Sequence, residues 1–77
     1  MIKLLFFASI RESIGSESIE LDKDGITIKD IKEHIEANYN VPLAHNMVVS
    51  INQEYADDAS LVNSGDTVAF IPPVGGG

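Results

Sequence analysis

The chain has 77 residues and a formal net charge of −7, from five basic and twelve acidic side chains. This length predicts a single domain, and a domain of this size buries only about 60 to 65% of the surface of its unfolded chain. The negative charge repels a phosphate backbone and argues against nucleic acid as a partner. The chain has no cysteine, which excludes disulfides, thiolate metal sites and cysteine nucleophiles.

The apolar segments of the chain are too short for a membrane protein. None approaches the roughly 20 residues that a membrane-spanning helix needs. The start, "MIKLLFFASI", lacks the small-residue cleavage site of a signal peptide. These patterns predict no membrane association and a cytoplasmic location.

The first predicted element is a strand over residues 2–10, in which apolar side chains alternate. One face carries Ile2, Leu4, Phe6, Ala8 and Ile10, and the other carries Lys3, Leu5, Phe7, Ser9 and Arg11. A turn at Gly15-Ser16 precedes "SIELD", where Ile19 and Leu21 alternate with polar residues. This pattern predicts the return strand of a hairpin.

The segment "TIKDIKEHIEANY" predicts the one helix of the chain, from about Ile28 to Asn38. Thr27 is placed to cap it and Asp30 to complete a capping box. Three isoleucines share one helical stripe: Ile28, Ile31 and Ile35. Pro42 cannot continue a helical hydrogen-bond ladder, so the helix ends before it.

Short strands follow the helix in "MVVSI", "EYA" and "TVAFI", separated by turns at Asn52-Gln53 and "NSGD". The alternation turns Met47, Val49 and Ile51 inward and Ser50 outward. Two strands, one helix and two or three short strands predict an α+β domain of the β-grasp type, with a mixed sheet covered on one face by the helix. A ferredoxin-like fold would need a second helix, and a small barrel is the other alternative. We expect the domain to span residues 1–71 and a tail to span residues 72–77.

No pattern in the chain indicates a complete active site. The phosphate-binding motifs G-x-x-x-x-G-K-[ST] and G-x-G-x-x-G do not occur. "DKDG" at 22–25 has its glycine too early for a calcium loop and lacks the closing glutamate. His34 lies off the helix stripe, His45 is in a loop, and Asp57-Asp58 is typical of a solvated turn. We therefore expect no metal site and no cofactor bound by this chain.

The last residues, "FIPPVGGG", combine a stiff segment with a thin one. Pro72-Pro73 hold the backbone extended, and glycine lets it pass through a narrow channel. Six residues of extended chain reach roughly 20 Å. The α-carboxylate of Gly77 becomes an acyl donor if another protein activates it with ATP as a mixed anhydride with AMP. The pattern favours a reactive tail over a frayed end.

Three segments carry a resemblance to a known family: "IKLLFFASIRE", "INQEYAD" and "SGDTVAFIPPVGGG". With them the whole chain resembles the small subunits of molybdopterin synthase, which are ubiquitin-like sulfur carriers. The resemblance implies that a ubiquitin-activating-like adenylyltransferase adenylates Gly77 and that a sulfur donor protein converts it to a thiocarboxylate. The tail, Pro72, Pro73, Val74, Gly75 and Gly76, then enters the large subunit. There the sulfur passes to cyclic pyranopterin monophosphate, in an assembly of two small and two large subunits.

The same resemblance, with the predicted sheet, indicates a partner interface. If the first and last strands are parallel neighbours, Phe7 and Ile71 lie at one end of the face that the helix leaves open. Together with Tyr55 they would form an exposed apolar patch, and such patches commonly mark protein interfaces. Arg11 matches the family's "RE" and is expected to pair either with an acidic group of the partner or with a local carboxylate.

Three other functions fit the same residues. A thiamine-pathway sulfur carrier also ends in two glycines, but such carriers usually lack the "FIPPV" approach. A ubiquitin-like modifier would join the terminal carboxylate to a lysine of another protein. A plain binding module would make no use of the terminus.

Overall fold

The structure is a computed structural model, and it describes residues 1–43 and 46–73. The elements are, in chain order, β1 (Ile2–Phe6), α1 (Ala8–Ile14), β2 (Ser18–Leu21), β3 (Ile26–Thr27), α2 (Ile28–Tyr39), β4 (Val48–Ile51), β5 (Glu54–Tyr55), β6 (Leu61–Val62) and β7 (Thr67–Ile71). No helix in these two ranges is long and apolar enough to cross a membrane. The cytoplasmic location stays a prediction.

Five of the strands form a mixed sheet in the order β2-β1-β7-β4-β5, and β3 pairs with β6 in a separate two-stranded sheet. β1 and β7 run parallel, with Phe6 opposite Phe70, while the other neighbours are antiparallel. The last strand therefore lies at the centre of the sheet, beside the first. This arrangement confirms the predicted β-grasp fold.

The core lies between α2 and one face of this sheet. The isoleucine stripe of α2 is fully buried there, and the rings of Phe6 and Phe70 stack with centroids 5.8 Å apart. The buried residues of the sheet alternate as the sequence predicts: Ile2, Leu4, Phe6, Val49, Val68 and Phe70. Each such burial contributes about 1.5–3 kcal/mol. On the opposite face of the five-stranded sheet, here called the open face, no helix packs within the described part of the chain.

α2 begins with the predicted capping box. Thr27 Oγ1 accepts from the Asp30 amide at 3.2 Å, and the Thr27 amide donates to Asp30 Oδ2 at 3.3 Å. Such caps contribute about 1 kcal/mol. The helix continues to Tyr39, one residue beyond the predicted end, and Asn40 closes it in a left-handed conformation at φ 54°.

The predicted first strand is wrong after Phe6, because residues 8–14 form the helix α1. The prediction of a single helix is therefore also wrong. Ile10 and Ile14 are four residues apart, so they share one face of a helix. Ile10 also fits the strand pattern of alternating apolar residues, so the sequence did not distinguish the two structures. Gly15 ends α1 with φ 86°, a conformation that glycine adopts at little cost.

The change from strand to helix also alters the predicted faces of residues 7–11. Phe7 keeps an extended backbone, with φ −122° and ψ 153°, so its side chain continues the alternation of β1. Ile10 is buried in the core, as predicted, but Ala8 is exposed, so its predicted inward placement is wrong. Ser9 and Arg11 are exposed on α1 and do not lie on a strand face.

The pairing of β3 with β6 was not predicted because two-residue strands leave no alternation to read. The loop before β6 also satisfies the start of α2. The Ile28 amide donates to the Ser60 carbonyl and the Lys29 amide to the Asp58 carbonyl, both at 3.0 Å. Asp58 also pairs with Lys32 at 2.7 Å. The Asp57-Asp58 turn is therefore part of the helix's support.

Candidate functional site

The tail leaves the domain from the central strand of the five-stranded sheet. β7 is hydrogen-bonded to β1 on one side and to β4 on the other. After Ile71, Pro72 is half-buried and Pro73 is exposed. The start of the tail is thus held by two strand neighbours. The remaining tail residues, Val74, Gly75, Gly76 and Gly77, lie outside the described residues.

Exposed apolar side chains surround the start of the tail on the open face. The Phe7 amide donates to the Phe70 carbonyl at 3.3 Å, which places Phe7 beside Ile71. On the other side of Ile71 the register places Val48 directly opposite it. Phe7 is 45% exposed and Val48 38%, while Ile71 is half-buried. Phe7 directly follows β1, so the three residues form a row across the ends of β1, β7 and β4.

Tyr55 lies on the same face one strand further out, in the next row of side chains. It lies on β5, opposite Ser50 of β4, and its side chain is 88% exposed. We call Phe7, Val48, Tyr55 and Ile71 together the apolar patch. Exposed apolar surface of this kind commonly marks a protein interface. The role of Phe7, Tyr55 and Ile71 at such an interface stays a prediction.

Val48 is the member of the apolar patch that the sequence did not indicate. In "MVVSI" the alternation assigns Met47 and Val49 to the core. For Val48 it predicts only an outward-facing side chain. Its place beside Ile71 depends on the register between β4 and β7. Register between strands so distant in sequence is set by the packed core and has no local signal.

The opposite end of the open face carries polar residues whose hydrogen bonds stabilise the fold. Asn52 Oδ1 accepts from the Thr67 amide at 3.0 Å, and Asn52 Nδ2 donates to Asp66 Oδ1 at 3.0 Å. The Asn63 amide donates to Asp66 Oδ2 at 2.9 Å. These bonds, first that from Asn63 and then that from Asn52, lower the pKa of the Asp66 carboxyl. Two of the motifs quoted above, "INQEYAD" and "SGDTVAF", therefore meet in the fold and tie the β4–β5 turn to the start of β7.

The turn accounts for the asparagine of the motif, since asparagine tolerates positive φ better than most residues. Asn52 and Gln53 both have positive φ, at 50° and 71°. Two successive residues of this kind make the tight hairpin turn whose twist matches the flanking strands. The turn sets the register of β5, and with it the position of Tyr55.

Arg11 lies on α1 beside the apolar patch. Its guanidinium Nη1 is 4.0 Å from Glu17 Oε2, and both side chains are well exposed. This is the local pairing that the sequence left open, at the outer limit of an ion pair. An exposed pair of this length contributes little.

Among the described residues, the histidine and carboxylate candidates lie apart from one another. His34 Nδ1 lies 3.3 Å from the Asn38 side-chain nitrogen, and Asp24 Oδ1 accepts from the Ser64 amide. His45 lies outside the described residues. Within ranges 1–43 and 46–73 no three His, Asp or Glu side chains are grouped to hold a metal ion.

The fold and the site define a class: a β-grasp domain whose central strand leads into a glycine-ended tail beside an apolar patch. The model of the ThiS family matches residues 4–77. The chain belongs to this family.

Individual proteins agree with this assignment. The molybdopterin synthase sulfur carrier subunit of Haemophilus influenzae is 38% identical over 81 residues, with both chains covered completely. This similarity confirms the resemblance to molybdopterin synthase small subunits that the motifs indicate. SAMP1 from Haloferax volcanii has a similar structure, with a TM-score of 0.81 and 25% identity, covering 99% of this chain and 98% of that chain.

A structure of subunits 1 and 2 of the molybdopterin-converting factor of Helicobacter pylori, determined as a protein–protein complex, contains a chain of the same fold. The TM-score is 0.69 at 18% identity, covering 99% of this chain and 97% of that chain. At this identity the likeness concerns the fold alone.

Proposed function

We propose that this chain is the sulfur-carrying small subunit of a molybdopterin synthase, acting in molybdenum cofactor biosynthesis. Membership of the ThiS family and the full-length similarity to a carrier of this name support the proposal. The structural observation that carries it is the exit of the chain from β7. That strand, paired on both sides, leads into the proline segment beside the apolar patch.

The proposed chemistry takes place at the carboxylate of Gly77. A carboxylate oxygen attacks the α-phosphorus of ATP held by the activating partner, and pyrophosphate leaves. Sulfur at the sulfide oxidation level, supplied by a donor protein, then attacks the acyl carbon, AMP leaves, and the product is a thiocarboxylate. In the large subunit this sulfur passes to cyclic pyranopterin monophosphate and contributes to the dithiolene of molybdopterin.

The composition of the tail suits this delivery. The backbone of Pro72-Pro73 is confined to extended conformations, so little entropy is lost when the tail docks. Residues 72–77 reach roughly 20 Å from the sheet when extended. The glycines at the end carry no side chain, so a channel that admits only backbone can hold them.

The apolar patch is proposed to dock on the large subunit while the tail enters that subunit's active site. The substrate pocket and the catalytic groups belong to the large subunit, so this chain is a sulfur-donating subunit without a catalytic site of its own. We propose two small and two large subunits in the assembly. ATP is used by the activating partner, and this chain binds no cofactor.

A ubiquitin-like modifier remains the second candidate, since the fold is shared with SAMP1, a small archaeal modifier protein. The two functions use the same carboxylate but leave different products. A carrier exchanges one carboxylate oxygen for sulfur. A modifier forms an amide with a lysine of another protein.

We expect the intact mass of the chain to rise by one oxygen-for-sulfur exchange after incubation with the activating enzyme, ATP and a sulfur donor. The control is the same mixture without ATP, in which no adenylate forms and the mass stays unchanged. An unchanged mass in the complete mixture, or attachment to other proteins without sulfur loading, would contradict the carrier function.

A further inference from the structure

A groove beside the apolar patch carries two cations on a chain that is mostly acidic. Its lining includes Lys3, Leu5, Phe7, Arg11, Glu17 and Ser18. Two of the five basic residues of a chain with net charge −7 thus line one groove. A partner attracted to the acidic surface presents mainly positive charge. At this groove the complementary group is an anion.

The ion pair in the groove is loose. Arg11 and Glu17 are 4.0 Å apart, and their side chains are 58% and 79% exposed. The other ion pair among the described residues, Lys32 with Asp58, is 2.7 Å long and leaves Lys32 only 18% exposed. Arg11 therefore makes no short, charge-assisted hydrogen bond with Glu17 and can still donate one to another carboxylate.

Lys3 is placed in a similar way. It lies on β1 directly opposite Glu20 of β2. Among the described residues the ion pairs within 4.0 Å are those of Arg11 and Lys32, so Lys3 and Glu20 are farther apart. The groove thus holds two cations that a suitably placed carboxylate could approach.

We propose that this groove receives a carboxylate side chain of the large subunit and that Glu17 is its intramolecular competitor. In the free carrier Glu17 remains near Arg11, and on docking the partner's carboxylate replaces it while Lys3 adds positive charge. Phe7 belongs to both the groove and the apolar patch, so a partner seated on the patch covers the groove. The identity of the partner rests on the proposed function.

Such a contact would fix the orientation of the docked subunits. Apolar burial is non-directional, and the row Phe7, Ile71 and Val48 alone allows the partner to rotate about it. A charge-assisted hydrogen bond at Arg11 is directional. The tail has to meet an active site in the partner, so a fixed orientation is needed for delivery.

The test is a set of substitutions with controls of equal charge, measured as the affinity for the large subunit of the same organism by calorimetry. Arg11→Gln should weaken binding about five- to tenfold. Lys29→Gln, at an exposed position of α2 on the other side of the domain, changes the net charge equally and should have less than about a twofold effect. Glu17→Gln should tighten binding about two- to threefold, relative to Glu33→Gln on α2.

The double variant separates competition from general electrostatics. When Arg11 is already glutamine, Glu17→Gln should give no gain beyond that of Glu33→Gln, because the competitor has lost its target. Equal effects of Arg11→Gln and Lys29→Gln, or a gain from Glu17→Gln that persists without Arg11, would overturn this inference alone. A parent chain that forms no complex with the large subunit would overturn both this inference and the proposed function.

Discussion

A variant with one alanine added after Gly77 is expected to accept sulfur at least about a hundredfold more slowly than the parent. The added residue displaces the carboxylate from the activating site by about 3.3 Å, and smaller misplacements of reacting groups cost this much.

Gly76→Val should fail at the same site for a different reason. Its branched side chain restricts φ and widens the tail in a channel that admits only backbone. The measurement is thiocarboxylate formation by intact mass, followed by molybdopterin production.

Gly75→Ala is the control for the tail, because it adds only one methyl group and leaves the terminal pair Gly76-Gly77 unchanged. We expect it to load and transfer sulfur within a few-fold of the parent. Thermal unfolding of all three variants should stay near that of the parent, since none alters residues 1–71. If the extended chain is loaded and transfers sulfur at the parent rate without being trimmed, Gly77 is not the reactive end.

Phe7→Asp or Ile71→Asp is expected to abolish stable association with the large subunit. An unpaired charge in the dry centre of an interface costs several kcal/mol. Phe7 is 45% exposed in the free domain, so an aspartate there remains hydrated before docking. Tyr55→Asp is the variant with the least effect on folding, because its side chain is 88% exposed. The measurement is calorimetric binding to the large subunit.

Leu61→Asp is the control for these docking variants. Leu61 is 58% exposed on β6, outside the five-stranded sheet, so the same loss of apolar surface occurs away from the apolar patch. It should bind like the parent. Normal binding by Phe7→Asp and Tyr55→Asp would show that the patch is not the interface. Circular dichroism tests whether Ile71→Asp, at a half-buried position, remains folded.

The elements that the sequence predicts well are those with long or chemically distinctive signals. α2 combines a capping box with a full isoleucine stripe, and β7 has five alternating residues ending at proline. In residues 8–14 the signal is ambiguous, because an apolar residue at Ile10 suits both periods over so short a distance. The chain turns at Ala8, which has a φ of 53°, and the helix follows. No local residue pattern predicts this positive φ at an alanine.

The candidate site divides in the same way. The tail and its prolines are visible in the sequence because their composition is unusual. The apolar patch depends on register, which places Val48 beside Ile71 and Tyr55 one strand further out. The loose Arg11–Glu17 pair depends on how α1 returns the chain to β2. Contacts of this kind are fixed by tertiary packing and could not be read from spacing alone.

The carrier function is best tested by following sulfur transfer in a single turnover. Purified thiocarboxylated chain is mixed with the large subunit and cyclic pyranopterin monophosphate, and the intact mass of the chain is followed with the appearance of molybdopterin. We predict that the chain returns to its unloaded mass as molybdopterin forms, and that the loaded chain alone forms none. Molybdopterin formation without the large subunit, or a loaded chain that keeps its sulfur when that subunit and the precursor are both present, would contradict the carrier function.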